Sequence, residues 1–420
     1  DKPANGTWSD WQLAFDDGQP GSLSEDNGAF VLSTPLALKT AAPEARSLQV
    51  GATTAIDGVS YQVSANARAA LMAAQGELPH LPPLGQEFDG VELRSAAGTV
   101  LSLDYGTQPT QASLGEAVLL DDLKLVGLRA QSTQESQGQQ FNCPQCGAPV
   151  QVKLATSKSV TCASCHSIIS LDAGIGNQLQ HATQDEPVQP LIPLGSAGQL
   201  LGIHWQLVGF QHRMGQPPDD GEHFGWSEYL LYNGKRGFCF LVDSEEGWSV
   251  VKPTTGAPTM MSNRQSASYQ GKRFAFKYRY QAETVYVAGE FYWPVVRGQK
   301  TSNTDFANAK DLLSLEQTPT ELTWSIGSQI DSALVAKAFG LEAKLAAVQR
   351  ADVAPAASMT RMGCLSVIVL CLVLFVLLLL LSQCSSCDPA SQDCGSNYSG
   401  GSGRSSGGSF GGFSGGGGHK

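Results

Sequence analysis

The sequence predicts a mainly β protein in which two related small domains, each barrel-like or sandwich-like, flank a short cysteine-bearing module. A helix, a long apolar segment and a Gly/Ser-rich tail follow. Two observations predict this class. Short apolar stretches separated by turn residues recur along the chain, which is typical of small barrels and sandwiches. Matching motifs also occur in the same order on both sides of two CxxC pairs.

The predicted units follow the changes in composition along the 420 residues. They are a truncated first β-domain copy (1–128), a cysteine module (140–170), a linker (171–190), a second β-domain copy (191–328), an amphipathic helix (329–350), a second linker (351–362), an apolar segment (363–382) and a Gly/Ser-rich tail (383–420).

The internal repeat rests on several short matches, which are sought before single motifs are interpreted. Residues 8–11 (WSDW) match 226–229 (WSEY), and 76–77 match 289–290 at an offset of 213 positions. Before Trp226 the second copy contains 194–195 and 201–209, for which nothing upstream of Trp8 offers a counterpart. We therefore expect the native protein to extend further at its amino terminus.

Strands in the second copy are predicted from alternation and turn residues. Residues 229–232 and 237–242 flank Asn233-Gly234, a dipeptide suited to a tight hairpin turn. Further on, 273–280 alternates basic and apolar residues, and 284–291 is predicted as a separate strand. The four tryptophans of this copy are predicted to be core residues: Trp226, Trp248, Trp293 and Trp324.

The cysteine module contains Cys143, Cys146, Cys162 and Cys165 as two CxxC pairs. This spacing is typical of a four-cysteine zinc ribbon, whose closed tetrahedron is structural. Two disulfides in an oxidising compartment and a thioredoxin-like redox centre are the alternatives. His166 follows the last cysteine and is interpreted as a bystander, with replacement of one ligand as the alternative.

The formal net charge of −11 argues against a general nucleic-acid binder, because phosphate contacts come from Lys and Arg. Nucleic-acid binding through the ribbon stays an alternative, motivated by Lys153 and Lys158 beside the cysteines.

The segment 363–382 has twenty residues without a charge, enough for a helix to span about 30 Å of hydrocarbon. It predicts one transmembrane helix. Lys344, Arg350 and Arg361 precede it, whereas Asp388 and Asp393 follow it. By the positive-inside rule, the amino-terminal domains are predicted to be cytoplasmic and the tail periplasmic, in a bacterial inner membrane.

No hydrolase elbow, P-loop or HExxH motif occurs in the sequence, and we predict that the protein is not an enzyme. The richest polar group is interpreted as a solvated hairpin loop, with acid-base chemistry or ligand sensing as the alternative. It consists of His212, Arg213, Asp219, Asp220, Glu222, His223 and Glu228.

Residues 226–232, 237–238, 289–291 and 324–327 (WSIG) together resemble the bacterial family called domain of unknown function 4178, often found beside zinc ribbons. The resemblance covers about 191–339 well and 8–128 more loosely. It implies a membrane-associated protein with a link to envelope stress or polyamine synthesis, and it transfers no catalytic residues. The predicted function is a membrane-anchored binding or assembly module that holds a protein partner, or copies of itself, at the membrane surface.

Overall fold

A computed structural model describes residues 8–26, 29–78, 81–118, 123, 139–154, 157–171, 178–180, 188–218, 223–261 and 264–350. The predicted linker, apolar segment and tail after residue 350 lie outside these residues, as do Asp219, Asp220 and Glu222. Among the residues that are described, no helix is both long and apolar enough to cross a membrane.

The first sheet consists of eight antiparallel strands: β1 Ser9–Ala14, β2 Pro20–Asp26, β3 Ala29–Pro35, β4 Thr53–Ile56, β5 Val59–Ala70, β6 Glu87–Ser95, β7 Thr99–Asp104 and β8 Gln111–Val118. Their order in the sheet is β1-β2-β3-β8-β7-β6-β5-β4. The apolar residues of β5, β6 and β7 are buried on one face, and Val63, Val91, Leu93 and Leu101 form the centre of its core.

The cysteine module and the remaining chain contribute sixteen more strands: β9 Gln139–Asn142, β10 Pro149–Val152, β11 Ser159–Thr161, β12 Ile168–Ser170, β13 Gln178–Gln180, β14 Ala197–Leu200, β15 Ile203–Gln216, β16 Phe224–Asn233, β17 Gly237–Ser244, β18 Gly247–Pro253, β19 Thr259–Met260, β20 Ser266–Tyr269, β21 Lys272–Phe291, β22 Lys300–Asn308, β23 Asp311–Gln317 and β24 Leu322–Ile330.

Eight of these strands close into a barrel. The order runs β21-β22-β23-β24-β18-β17-β16-β15, and β15 pairs back onto β21. The strand β15 therefore completes the ring by pairing with both β16 and β21. The prediction of a mainly β protein is confirmed, and closure into a barrel is the specific form that the second domain takes.

One strand, β21, replaces the two strands expected at 273–280 and 284–291. Residues 275–283 pair with β22 and residues 281–289 pair with β15, so the strand continues over twenty residues with one register shift in each ladder. The two predicted short strands are one strand because the first half of β21 pairs mainly with β22 and the second half mainly with β15.

The hairpin at Asn233 is wider than the tight turn that Asn233-Gly234 suggested. Strand β16 ends at Asn233 and β17 begins at Gly237. The Asn233 side chain accepts hydrogen bonds from the backbone N–H groups of Lys235 and Arg236, both at 2.9 Å. The asparagine therefore stabilises the turn through its side chain.

The predicted helix over 329–350 is a shorter, broken structure. The barrel strand β24 runs to Ile330, and α1 (Ser332–Ala338) and α2 (Leu345–Val348) follow it. Between them Gly340 has a φ of 66°, which ends the first helix. Val335, Phe339 and Val348 pack against the outer face of the barrel with Trp205 and Trp248. This apolar face explains the helical periodicity of the sequence.

The four tryptophans predicted as core are buried: Trp226, Trp248, Trp293 and Trp324. Two of them, Trp248 and Trp324, connect different parts of the chain. Trp226 lies in the barrel, Trp248 donates its indole N–H to the Val348 carbonyl, and Trp324 donates to Gln62 Oε1 of the first sheet at 2.8 Å. The two sheets therefore meet at Trp324, where Arg94 of β6 also donates to the Thr254 carbonyl.

Candidate metal centre

The cysteines lie on two turns with the same backbone geometry. The Gly147 N–H donates to the Cys143 carbonyl at 2.8 Å, and the His166 N–H donates to the Cys162 carbonyl at 2.9 Å. Each turn presents the two sulfurs of a CxxC pair in the same direction. The strands β9 with β10 and β11 with β12 form the hairpins that carry the two turns. Residues 150–152 and 159–161 are strands, but they do not form a hairpin with each other, because β10 pairs with β9 and β11 pairs with β12 and β21.

The four sulfur atoms of Cys143, Cys146, Cys162 and Cys165 lie within 4.8 Å of one another. Cys143 and Cys165 are 3.7 Å apart, as are Cys146 and Cys162. A zinc ion bound at about 2.3 Å from each of four sulfurs makes a tetrahedron with edges of about 3.8 Å. The four cysteines can hold a metal ion such as zinc, and their separation is too long for disulfide bonds.

Electrostatics also favour a bound cation. Burial raises the pKa of Cys162 to about 12. Burial acts in the same direction on Cys165, but hydrogen bonds from Ser167 and the neighbouring thiols lower the pKa of Cys165 to about 6. Because close thiols interact, ionisation of one thiol makes ionisation of its neighbours less favourable. A divalent cation removes this conflict because it stabilises all four thiolates together.

His166 occupies a turn position equivalent to that of Gly147. Its φ is 57° and that of Gly147 is 73°, both in the left-handed region. Four sulfurs already complete the cluster, and the imidazole of His166 lies 6.5 Å from the ring of Tyr286. The geometry favours its interpretation as a bystander.

The ribbon is joined to the barrel through Glu290 of β21. Its carboxylate accepts hydrogen bonds from the backbone N–H groups of Lys153 and Leu154 and from the Ser157 hydroxyl, at 2.9–3.0 Å. Strand β11 adds a second connection, because Ser159 and Val160 pair with the end of β21. The ribbon therefore extends the barrel sheet.

Sequence reasoning missed the role of Glu290. In the sequence Glu290 belongs to a repeated Gly-Glu dipeptide, 289–290 matching 76–77, and to the segment 289–291 of the family resemblance. Nothing in the local sequence indicates that a carboxylate in a strand accepts hydrogen bonds from residues almost 140 positions earlier.

The polar group predicted as a solvated loop is instead partly buried inside the barrel. Arg213 of β15 has no exposed surface, and its guanidinium lies 2.9 Å from Glu316 of β23 and 3.6 Å from Glu228 of β16. Because β15 and β23 are not neighbours in the ring, this contact crosses the interior. The interpretation as a solvated loop is therefore wrong for Arg213 and Glu228.

This interior cluster contains two carboxyl groups and one guanidinium. Trp226 and Gln211 donate to Glu228, while Asn303 donates to Glu316 at 3.2 Å. Burial raises the pKa of Glu316 to about 7, with Arg213 opposing the effect, and it also raises the pKa of Glu228. Burial alone would lower the pKa of Arg213. The carboxyl groups of Glu316 and Glu228 outweigh this effect, raise the pKa above its ordinary value and keep the guanidinium cationic.

Within the predicted polar group, His212 and Glu228 do not meet. His212 contacts the Ser227 hydroxyl at 3.1 Å, whereas its neighbours Gln211 and Arg213 turn to the opposite face with Glu228. Successive strand residues face opposite sides. The structure therefore places His212 and Glu228 on different faces of the barrel wall, while His223 is exposed.

Comparison with known families gives one match, over the residues that form the barrel. Residues 193–332 match the model of a domain of unknown function (DUF4178). That segment spans β14 to β24 and the start of α1, so the DUF4178 match coincides with the closed barrel. Searches of curated proteins and of solved structures found no match.

Proposed function

We propose that the protein is a membrane-anchored zinc-ribbon protein that acts as a binding or assembly module at the cytoplasmic face of a bacterial inner membrane. The observation that carries the proposal is the four-sulfur cluster, whose 3.7 Å separations suit a closed tetrahedral zinc site. Such a site leaves no position for water or substrate, so its role is to fix the fold of the ribbon.

The connection between ribbon and barrel supports a role in presenting a surface. Glu290 and the β11–β21 pairing hold the ribbon against the DUF4178 barrel. A metal-stabilised module fixed in this way offers a partner a defined surface, and binding needs no conformational change in the module. The membrane part of the proposal rests on the apolar segment 363–382 of the sequence.

The matching strand orders of the two sheets support the proposal of tandem copies. The first sheet has the order β1-β2-β3-β8-β7-β6-β5-β4, and the second has β16-β17-β18-β24-β23-β22-β21-β20. Each strand has its counterpart in chain order. The ribbon thus lies between two domains of the same plan in this proposal.

The test compares the full chain with a Cys162→Ser variant and with a chain lacking 363–382. We expect about one zinc per chain in the wild type and a protein partner captured from gently solubilised membranes. The Cys162→Ser variant should lose both, whereas the truncated chain should keep zinc and leave the membrane fraction. If the wild-type chain contained no zinc, or if the Cys162→Ser variant captured as much protein partner as the wild type, the ribbon would not be the partner-binding module.

The alternative of a ligand sensor or enzyme using the segment His212 to Glu228 is favoured by one observation, the buried charge of Arg213 among two carboxylates. Buried ionisable groups with displaced pKa values are enriched at functional sites. Small-ligand screening by thermal shift, with wild type and the Glu228→Gln variant, would test it.

A further inference from the structure

The outer surface of the barrel is more cationic than its composition suggests. Residues 191–328 contain twelve Lys and Arg residues and thirteen Asp and Glu residues. All twelve cationic residues lie in the described part of the barrel, and Arg213 alone among them is buried. Five of the carboxyl groups are buried: Glu228, Asp243, Glu290, Asp305 and Glu316. Eleven cationic side chains therefore remain at the surface against at most eight carboxylates, even when the three acidic residues outside the described ranges are counted.

The first sheet has a surface charge of the opposite sign. Within residues 8–118, eight Asp and Glu residues are exposed, against three exposed Lys and Arg residues. The net charge of the chain thus conceals two surfaces that differ in sign. An anionic surface attracts the barrel and repels the first sheet.

Four cationic residues lie near the beginning of β21, and we call them the exit-end basic group: Arg264, Lys272, Arg273 and Lys310. Lys272 is 2.6 Å from Asp311, which begins β23. The Asn308 side chain donates to the Arg273 carbonyl at 2.8 Å, so the β22–β23 turn lies against the same end of β21. Arg264 belongs to the turn that precedes β20, and β20 pairs with residues 272–275.

The chain leaves the barrel beside this group. Lys310 is 3.8 Å from Asp331, the residue before α1. The Arg350 N–H donates to the Ser332 hydroxyl at 3.1 Å, and its guanidinium contacts both oxygens of Asp243 at 2.6 and 2.8 Å. Arg350 is therefore fixed to the barrel next to the exit-end basic group, immediately before the predicted linker 351–362.

The length of that linker limits how far the barrel can lie from a bilayer. Twelve extended residues reach about 40 Å at most, so an apolar segment inserted in a membrane keeps the exit end near the membrane surface. The cytoplasmic leaflet carries anionic lipids, whose attraction for Lys and Arg extends over a Debye length of about 8 Å. The ribbon pairs with residues 290–291 at the opposite end of β21. Contact of the exit end with the bilayer would thus leave the ribbon accessible.

We propose that the exit-end basic group docks the barrel onto anionic lipid headgroups, with the ribbon and the acidic first sheet directed away from the bilayer. Its four cationic side chains outnumber the two carboxylates that contact them, Asp311 and Asp331. This inference rests on the proposed membrane anchoring and specifies which end of the barrel meets the lipid. The acidic first sheet of a second copy and nucleic acid are also anionic, but the exit of the chain beside the group favours lipid.

The test measures lysine acetylation of the zinc-loaded full chain in phosphatidylcholine nanodiscs, with and without phosphatidylglycerol. Mass spectrometry after treatment with a neutral acetylating ester gives a rate for each lysine. We expect acetylation of Lys272 and Lys310 to become at least about threefold slower with the anionic lipid, and high salt should reverse the effect. Lys235, in the β16–β17 turn at the ribbon end of the barrel, is the internal control and should keep its rate.

A charge-reversal pair separates a specific end from a general effect of charge. In Arg264→Glu/Arg273→Glu, the acetylation rate of Lys310 in anionic nanodiscs should return to its value in neutral nanodiscs. The matched control Lys235→Glu/Arg236→Glu makes the same change in net charge and should leave the slowing at Lys310 intact. Both pairs alter exposed side chains, and unchanged zinc content would show that each variant is folded.

Each other outcome overturns the inference. Equal acetylation rates in both lipids, or equal slowing at Lys235, would show that the exit end does not select anionic lipid. Slowing in neutral nanodiscs that depends on protein concentration would identify a second copy as the partner, and slowing only after addition of an oligonucleotide would identify nucleic acid. A chain that does not enter nanodiscs would overturn the proposed membrane anchoring as well, whereas a chain that enters them without slowing overturns this inference alone.

Discussion

The buried carboxylate Glu316 makes a prediction about stability that depends on pH. Burial raises its pKa to about 7 in the folded protein, against an ordinary value near 4.5. Between these values the folded state binds a proton that the unfolded state has lost. Stability contributed by this group is therefore fully present below about pH 4.5 and is lost as the pH rises toward 7.

The magnitude follows from the size of the pKa displacement. One pKa unit corresponds to about 1.4 kcal/mol, so the displacement at Glu316 corresponds to about 3 kcal/mol of unfolding free energy. In Glu316→Gln the neutral amide keeps an oxygen for Arg213 and Asn303 and does not titrate. We expect this variant to match or exceed the wild type in stability at pH 8 and to lose this part of the pH dependence.

The assay is urea unfolding of the zinc-loaded protein at pH 5, 6, 7 and 8. The control is Glu283→Gln, which removes a partly exposed carboxylate paired with Lys300 at 3.4 Å and should change stability by less than about 1 kcal/mol. Burial lowers the pKa of His212, whose contribution has the opposite sign, but it is present in every variant and cancels in the difference. A wild type and a Glu316→Gln variant with parallel pH profiles would refute the reasoning.

Three further predictions concern the ribbon and the barrel seam. Cys162→Ser should abolish stoichiometric zinc binding, measured by metal analysis, whereas Cys239→Ala, a buried thiol outside the cluster, should keep the zinc. Glu290→Gln should weaken attachment of the ribbon to the barrel by roughly 2 kcal/mol, since hydrogen bonds to a charged group are lost. Amide hydrogen exchange at residues 153–160 should become faster while the zinc content stays unchanged. Unchanged exchange would contradict the role assigned to Glu290. Gly289→Ala should cost about 3 kcal/mol in urea unfolding, because the new Cβ would lie 2.3 Å from the Val208 carbonyl at a φ of +92°; Gly90→Ala, whose Cβ meets nothing closer than 3.8 Å, is the control.

The sequence was most informative where spacing is local. The two CxxC pairs predicted the positions of all four sulfurs, because each pair is a single turn. The period-two alternation predicted strands on both sides of the ribbon. Buried tryptophans were also predictable, since so large an apolar side chain rarely lies in water.

Contacts between distant strands were not predictable. Arg213 and Glu228 read as loop residues because Gly215, Pro217 and Pro218 lie between them. The partner that explains the burial of Arg213 is Glu316, about a hundred positions later. Closure of the barrel depends likewise on β15 reaching β21. Local sequence records the propensity of a strand but not the identity of its second neighbour.

Closure of the barrel by β15 has a consequence for synthesis of the chain. Gly209 pairs with Gly289, eighty positions later, so at roughly 5–20 residues per second β15 waits about 4–16 s at the ribosome for its second neighbour. During this interval it is an open edge able to pair with other nascent chains. Arg213, on the face that later turns inward, is a charge of the kind that discourages such premature pairing. Arg213 thus pairs with two carboxyl groups in the folded barrel and also disfavours pairing of β15 with other chains before the barrel closes.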